Sequence, residues 1–141
     1  MSAYLSTVSM KTLATDIKGL FTNSKIRLSQ GTAPISVNSV LSDFTEADFG
    51  GYASLENAAN VLVFDDATGD WVTQPGTVAA FTADNTITAP QTVSAAYITN
   101  TAGTSLIAFS TIDPNFTFVN DGDGLIVSNL IFRLPQNVAQ S

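Results

Sequence analysis

Apolar residues recur every three or four positions at the start of the chain, a spacing that places them on one stripe of an α-helix. The stripe consists of Leu5, Val8, Leu13, Ile17, Leu20 and Phe21. The sequence therefore predicts an N-terminal helix that ends near Asn23, although Gly19 within it costs about 1 kcal/mol relative to Ala. Such a stripe can pack on the chain's own core or on another subunit.

Beyond residue 24 the pattern changes to short apolar or alternating runs separated by Gly, Pro, Asn and Asp, which is typical of strands and turns. Ser42 or Asp43 could cap a short helical turn that Gly50 and Gly51 end. Around an Asp- and Gly-rich tip, residues 61–64 and 71–73 are expected to form a hairpin. Further extended segments are expected at residues 25–29, 35–40, 78–83, 93–99, 105–111, 116–119 and 125–134.

About six short strands with turns roughly every dozen residues are typical of a β-sandwich or jelly roll. The sequence thus predicts a mainly β fold, a single sandwich or jelly-roll-like domain with an N-terminal helical arm. Residues 1–24 would form the arm and residues 25–141 the β-rich body. We find no apolar run that would form a signal peptide or a membrane span.

The composition argues against most enzyme chemistry. The chain has no Cys and no His, which excludes thiolate nucleophiles, imidazole bases and Cys/His zinc sites. Charged residues make up 12% of the chain, about half the usual share of roughly 25%. The sequence contains no phosphate-binding glycine loop and no nucleophile elbow. We therefore expect no catalytic residues, no cofactor and no metal.

Charge is distributed unevenly along the chain, whose net charge is −7. Lys11, Lys18, Lys25 and Arg27 accompany a single acid, Asp16, in the first 42 residues. Residues 43–123 contain eleven acids and no base. Since binding of nucleic acid requires clustered Lys and Arg, a nucleic-acid partner is not expected, and neither is a membrane.

Two acidic clusters need a separate interpretation. The first, in residues 120–124, contains Asp121 and Asp123 and could attract calcium, but it lacks the remaining ligands of an EF-hand loop. The second contains Asp65, Asp66 and Asp70. Asp-Gly pairs are favoured in tight turns for backbone reasons, so both clusters are interpreted as turns between strands. Paired carboxylates could also hydrolyse glycosides, but the sequence shows no burial that would raise the pKa of one of them.

Residues 45–52 read Thr-Glu-Ala-Asp-Phe-Gly-Gly-Tyr. This segment resembles a T-E-A-D-F-x-G-Y signature of small virion-associated proteins of tailed bacteriophages, encoded among head and tail genes. Residues 95–99, 102–106 and 121–123 are similar to the second half of the same proteins. The resemblance covers about residues 25–134 and implies no catalytic residues.

The resemblance implies a virion part of the head or the tail, and with the His-free, Cys-free, sheet-rich composition it favours a capsid decoration, or cement, protein on the outer surface of a phage head, made in the host cytoplasm. Its expected partners are two further copies of itself, in a homotrimer, and the major capsid protein. Small β domains of this kind commonly form rotationally symmetric oligomers. The expected interface combines basic side chains with the apolar stripe of the arm: Lys11, Leu13, Ile17, Lys18, Leu20, Phe21, Lys25 and Arg27.

Two other functions remain open at this point. One is a tail-associated module, such as a fibre or baseplate accessory, that binds a host glycan or a tail protein through residues 65–70 and 120–124. The other is a carboxylate-dependent hydrolase. Copy number per particle distinguishes decoration from a tail part, and Asp-to-Asn changes test the hydrolase.

Overall fold

The computed structural model describes residues 6–31, 35–57, 60–65, 70–75, 78–128, 130 and 132–134. The predicted mainly β fold with one N-terminal helix is confirmed. The elements, in chain order, are α1 (Thr7–Phe21), β1 (Ser24–Gln30), a 3-10 turn (Leu41–Asp43), β2 (Leu55–Asn57), β3 (Asn60–Asp65), β4 (Asp70–Pro75), β5 (Ala79–Thr82), β6 (Gln91–Thr99), β7 (Leu106–Phe118), β8 (Gly124–Val127) and β9 (Phe132–Leu134).

The helix begins at an N-cap, since the Ser6 hydroxyl accepts the Ser9 backbone N–H at 3.1 Å. It ends as predicted, because Asn23 adopts a positive φ of 57° and turns the chain into β1. One side of α1 is buried through Met10, Ala14 and Phe21, and the helix packs against β3 and β4. The arm therefore covers the chain's own body.

The strands form three antiparallel sheets. A four-stranded sheet has the order β2-β1-β6-β7, a three-stranded sheet β3-β4-β9 and a two-stranded sheet β5-β8. We call the two-stranded sheet the ribbon. The predicted hairpin is confirmed as β3 and β4, which pair from Asn60 opposite Pro75 to Asp65 opposite Asp70.

The main core lies between the four-stranded sheet and the ribbon. Leu28, Ile98 and Phe118 from the sheet meet Phe81 and Val127 from the ribbon in one cluster. A smaller cluster covers the opposite face of the sheet, where Phe44, Ala95 and Tyr97 pack together. Strand β6 is therefore buried on both faces, which matches its nearly uncharged, apolar sequence.

Three predictions about individual segments are wrong. Residues 44–49 do not form a helical turn; the only helical turn there is Leu41–Asp43, and residues 44–49 continue in an extended path. Residues 35–40 contain a turn and no strand. Among residues 125–134, β8 joins the ribbon while β9 joins β4, so this run supplies two strands to two different sheets.

The predicted strands 105–111 and 116–119 form one strand, β7. Its pairing with β6 moves from Thr111 opposite Ala95 directly to Phe116 opposite Val93. Residues 112–115, which include the cis peptide Asp113-Pro114, form a bulge between these pairs. The two predicted runs are thus joined by a bulge within one strand.

Candidate interaction surfaces

The segment of residues 45–52, which we call the signature segment, begins alongside β1. The Ala47 N–H donates to the Leu28 carbonyl at 2.9 Å, and the Gln30 N–H donates to the Thr45 carbonyl at 2.8 Å. Glu46 forms an isolated β-bridge with Ser29. The segment thus extends the row of pairs that β2 makes with the first half of β1.

Glu46 is the centre of a polar cluster beneath this edge. One carboxylate oxygen accepts from the Arg27 guanidinium at 2.6 Å, and the other accepts from the Tyr52 hydroxyl at 3.0 Å. The Tyr52 hydroxyl in turn accepts the Leu28 N–H at 3.2 Å, and Arg27 also donates to the Thr99 hydroxyl at 2.9 Å. Burial, together with the nearby Glu46 carboxylate, raises the pKa of Tyr52, which therefore stays a neutral donor.

The aromatic residues of the signature segment point into the main core. Phe49 stacks on Phe118 with ring centroids 4.0 Å apart, and Tyr52 stacks on Phe81 at 5.9 Å. Between them, Gly50 lies so close to the next loop that an added Cβ would be 2.3 Å from the Ile87 backbone nitrogen. These residues pack the signature segment against the body of the fold.

Asp48 is the exposed acid of the segment, and Gln91 fixes its position. The Gln91 side-chain carbonyl accepts the N–H groups of Asp48 and Phe49 at 2.9 and 3.2 Å, while its amide donates to the Asp48 carboxylate at 2.6 Å. A groove of about 300 Å³ lies here between residues 48–50 and residues 86–91. The hydrogen bonds of Asp48 and Gln91 tie its two walls together.

The helical part of the expected interface is divided by the fold. Phe21 is buried and Ile17 is partly buried against the main core, so neither presents its side chain to a partner. Leu13 and Leu20 are 41% and 61% exposed. At about 100° per residue, these leucines lie on one side of the buried stripe and Lys11 and Lys18 on the other.

The two basic residues of β1 are engaged within the chain. Lys25 lies opposite Glu56 on β2, and its ammonium is 3.4 Å from the Glu56 carboxylate. Arg27 forms the ion pair with Glu46, and its side chain is 14% exposed. Of the four basic residues expected to meet a partner, Lys25 and Arg27 are thus engaged within the chain, whereas Lys11 is exposed and Lys18 half-buried on α1.

The turn at residues 120–123 matches the interpretation as a tight turn. The Asp123 carboxylate accepts the N–H groups of Val119 and Asn120, both at 2.8 Å, and these bonds lower the pKa of Asp123. Gly122 adopts the positive φ of 91° that the turn requires. In the same way, the Thr86 hydroxyl and N–H lower the pKa of Asp84.

No group of three or more acidic side chains that could hold a metal ion occurs among the described residues. The tip of the other acidic cluster, residues 66–69, lies outside the described residues. Within the same part of the chain, no helix is long and apolar enough to cross a membrane.

The ribbon carries an exposed apolar surface that the sequence interpretation missed. Val78 is 70% and Ile126 65% exposed, and Ala80, which pairs with Ile126, is exposed too. We call these three residues the outer face of the ribbon. The sequence signal that could have located this surface is the alternation along β5, in which Ala79 and Phe81 are buried while Ala80 and Thr82 are exposed.

Comparisons with protein-family models, with curated proteins and with solved structures each find no match to this chain.

Proposed function

We propose that the protein is a structural component of a tailed-bacteriophage virion, a capsid decoration (cement) protein. In this proposal it binds the outer head surface as a homotrimer and stabilises contacts between capsomers of the major capsid protein. It is made in the host cytoplasm, carries out no catalysis, and contacts neither nucleic acid nor membrane. The helical lysines and leucines contribute to its contacts, whereas Arg27 and Phe21 act inside the fold.

The position of the signature segment is the observation that carries this proposal. The residues by which the chain resembles small phage virion proteins are those that build its body: Glu46 pairs with Arg27, and Phe49 stacks on Phe118. A sequence signature made of such residues describes a shared fold rather than a shared reaction. This supports a structural part over a hydrolase.

The surface supports an adhesive role as well. Apolar side chains are exposed on α1, at Leu20, and on the outer face of the ribbon, at Ile126. Contiguous exposed apolar patches with polar surroundings, such as the outer face of the ribbon, commonly mark protein–protein contacts. Lys25 and Arg27 form ion pairs within the chain. In this proposal, Lys11 and Lys18 on α1 are therefore the cations that orient such contacts.

Binding to heads that lack the protein is the decisive experiment. Purified protein should co-sediment with such heads until a fixed copy number is reached, and electron microscopy should place its density on the outer surface. A copy number comparable with that of the major capsid protein indicates decoration. Density confined to the tail, at a far smaller copy number, would instead establish the tail-associated module.

A further inference from the structure

We propose that α1 of one copy docks on the outer face of the ribbon of the next copy, in a heterologous contact that closes the homotrimer. This inference rests on the proposed function for its trimeric state, and on two surfaces of this chain for its geometry. One surface is the exposed side of α1. The other is the outer face of the ribbon with the turn at its end.

The exposed side of α1 suits close approach to a flat surface. Its crest carries Val8, which is 76% exposed, followed by the small exposed residues Thr12, Thr15 and Gly19. Exposed Asp16, Leu13 and Leu20 border this crest on one side, and the two helical lysines border it on the other. A helix with a low crest between two such borders can lie across a sheet, the usual way in which helices and sheets form layers.

The outer face of the ribbon is a matching surface. Val78, Ala80 and Ile126 are exposed there, and the exposed pair Thr82 and Gly124 adjoins them on the same side of the ribbon. None of them is charged, and small side chains flank the protruding Val78 and Ile126. In a chain of net charge −7, an uncharged patch is where a second copy meets the least electrostatic repulsion.

Charge complementarity selects a second copy as the occupant and orients it. The turn at residues 120–123 adjoins the ribbon, because the Ala83 N–H donates to the Asp123 carbonyl at 2.8 Å and the Gly122 N–H donates to the Ala83 carbonyl at 2.9 Å. Exposed Asp84 and Asp121 thus stand at one end of the apolar face. Lys11 and Lys18 of the neighbouring helix supply the opposite charge beside its crest, where the Thr12 and Thr15 hydroxyls are bonded to helix carbonyls. Such pairs set orientation, and the apolar contact supplies affinity.

The exposed side of α1 and the outer face of the ribbon are different surfaces of the same chain. Each copy therefore binds one neighbour through its helix and the other neighbour through its ribbon. A contact of this type is heterologous and closes into a ring when the rotation between copies allows it. A trimer would repeat the contact three times, with one helix and one ribbon from every copy engaged.

Cross-linking of single-cysteine variants tests this arrangement, since the natural chain has no Cys. We would prepare Thr15→Cys on the crest and Ala80→Cys on the ribbon, both at exposed positions, and treat each alone and the two mixed with a short thiol cross-linker. The expected result is a covalent dimer in the mixture and little or none with either variant alone. Val37→Cys, at a residue 93% exposed, replaces Thr15→Cys in the matched control mixture.

Several results would overturn the proposal. One is the absence of a covalent dimer in the mixture of Thr15→Cys and Ala80→Cys. Another is as much dimer with one variant alone as in that mixture, which indicates an isologous contact. The third is as much dimer in the control mixture as in the test mixture. Head binding is measured on the same samples, to separate the two proposals. Cross-linking without head binding refutes decoration only, whereas head binding by a trimer that does not cross-link refutes this contact only.

Discussion

Glu46 links β1, the signature segment and Tyr52, so its charge should matter more than that of an ordinary surface carboxylate. In Glu46→Gln, the largely buried Arg27 guanidinium loses its counter-ion. Because Glu46 is itself 37% exposed, water compensates in part, and we expect a loss of about 1–3 kcal/mol in the free energy of unfolding. Urea denaturation at neutral pH measures it.

Glu56→Gln is the matched control. It removes the other ion pair made by β1, between Lys25 and Glu56, in which the carboxylate is 62% exposed. Exposed pairs contribute about 0–1 kcal/mol, so this variant should stay close to the natural protein. Equal losses in the two variants would contradict the central role assigned to Glu46.

Substitution by Ala should lower the stability of the protein at Gly50 and raise it at Gly19. In Gly50→Ala the new methyl group would meet the backbone of Thr86 and Ile87 at 2.3–2.4 Å, and overpacking of this kind costs roughly 1–3 kcal/mol. In Gly19→Ala nothing lies within 4 Å, and the gain in helix propensity should stabilise by roughly 0.5–1 kcal/mol. Thermal denaturation of both variants measures the two signs, and a stabilised Gly50→Ala would refute the close approach.

The Asp123 carboxylate should contribute a pH-dependent part of the stability. Its backbone hydrogen bonds lower its folded-state pKa below the ordinary value of 3.8. The stabilisation is therefore complete above that value and is lost as pH falls through the folded-state pKa. We expect Asp123→Asn to be less stable than the natural protein at pH 7, with the difference closing in acid.

Denaturation curves of both proteins between pH 7 and pH 3 measure this difference. Asp121→Asn is the control, because it removes a charge from the same turn without touching the bonds to Val119 and Asn120. A gap between Asp123→Asn and the natural protein that persists unchanged to the lowest pH would show that the carboxylate charge contributes nothing.

At the scale of the element, α1 has a structural side and a surface side. Phe21 is 3% and its neighbour Leu20 61% exposed, so the same truncation should have very different effects. We expect Phe21→Ala to cost about 3–5 kcal/mol and Leu20→Ala less than about 1 kcal/mol. Urea denaturation compares them, and equal losses would contradict the packing of α1 on the body.

The structure also changes how the arm should be tested. Deletion of α1 would uncover the side that buries Met10 and Ala14, so loss of head binding by such a deletion would not identify the helix as an interface. The surface variant Leu20→Ala avoids this difficulty, because it leaves the buried side of α1 intact.

Elements with a strong local pattern were predictable from sequence. The helix follows from its apolar spacing, and the hairpin β3-β4 follows from two strand-like runs around an Asp- and Gly-rich tip. Both depend on residues that are close in the chain, where propensity and periodicity carry the information. The mainly β character follows from the same patterns.

Elements defined by distant partners were not predictable in this way. Residues 44–49 lie between helix-capping residues at 42–43 and 50–51, yet their backbone pairs with Leu28 and Gln30 of β1. Residues 125–134 read as one apolar run, yet β8 and β9 find partners in different sheets. Pairing between remote segments overrides local preference, and local patterns do not specify the partner.

The interface prediction failed in part for a related reason. The sequence grouped lysines with apolar residues of the arm because they are near each other in the chain. A helix distributes them around its axis, so Ile17 and Phe21 pack on the core while Lys11 is exposed and Lys18 half-buried beside them. To predict the outer face of the ribbon, one must know which face of β5 and β8 the core covers, and this depends on packing against distant strands.

At the scale of the whole molecule, self-association should make thermal stability depend on protein concentration. Whatever binds the folded state alone stabilises it by mass action, and a second copy acts as such a ligand. Tm should therefore rise with the concentration of the natural chain. Ile126→Lys places a charge on the outer face of the ribbon at a position 65% exposed, so it should abolish the concentration dependence while leaving Tm at high dilution nearly unchanged. Scanning calorimetry over a wide concentration range measures both, with Val37→Lys, at a 93% exposed position, as the matched charge control. If Ile126→Lys keeps the full concentration dependence, or if Val37→Lys loses it equally, copies of the chain do not meet through the ribbon.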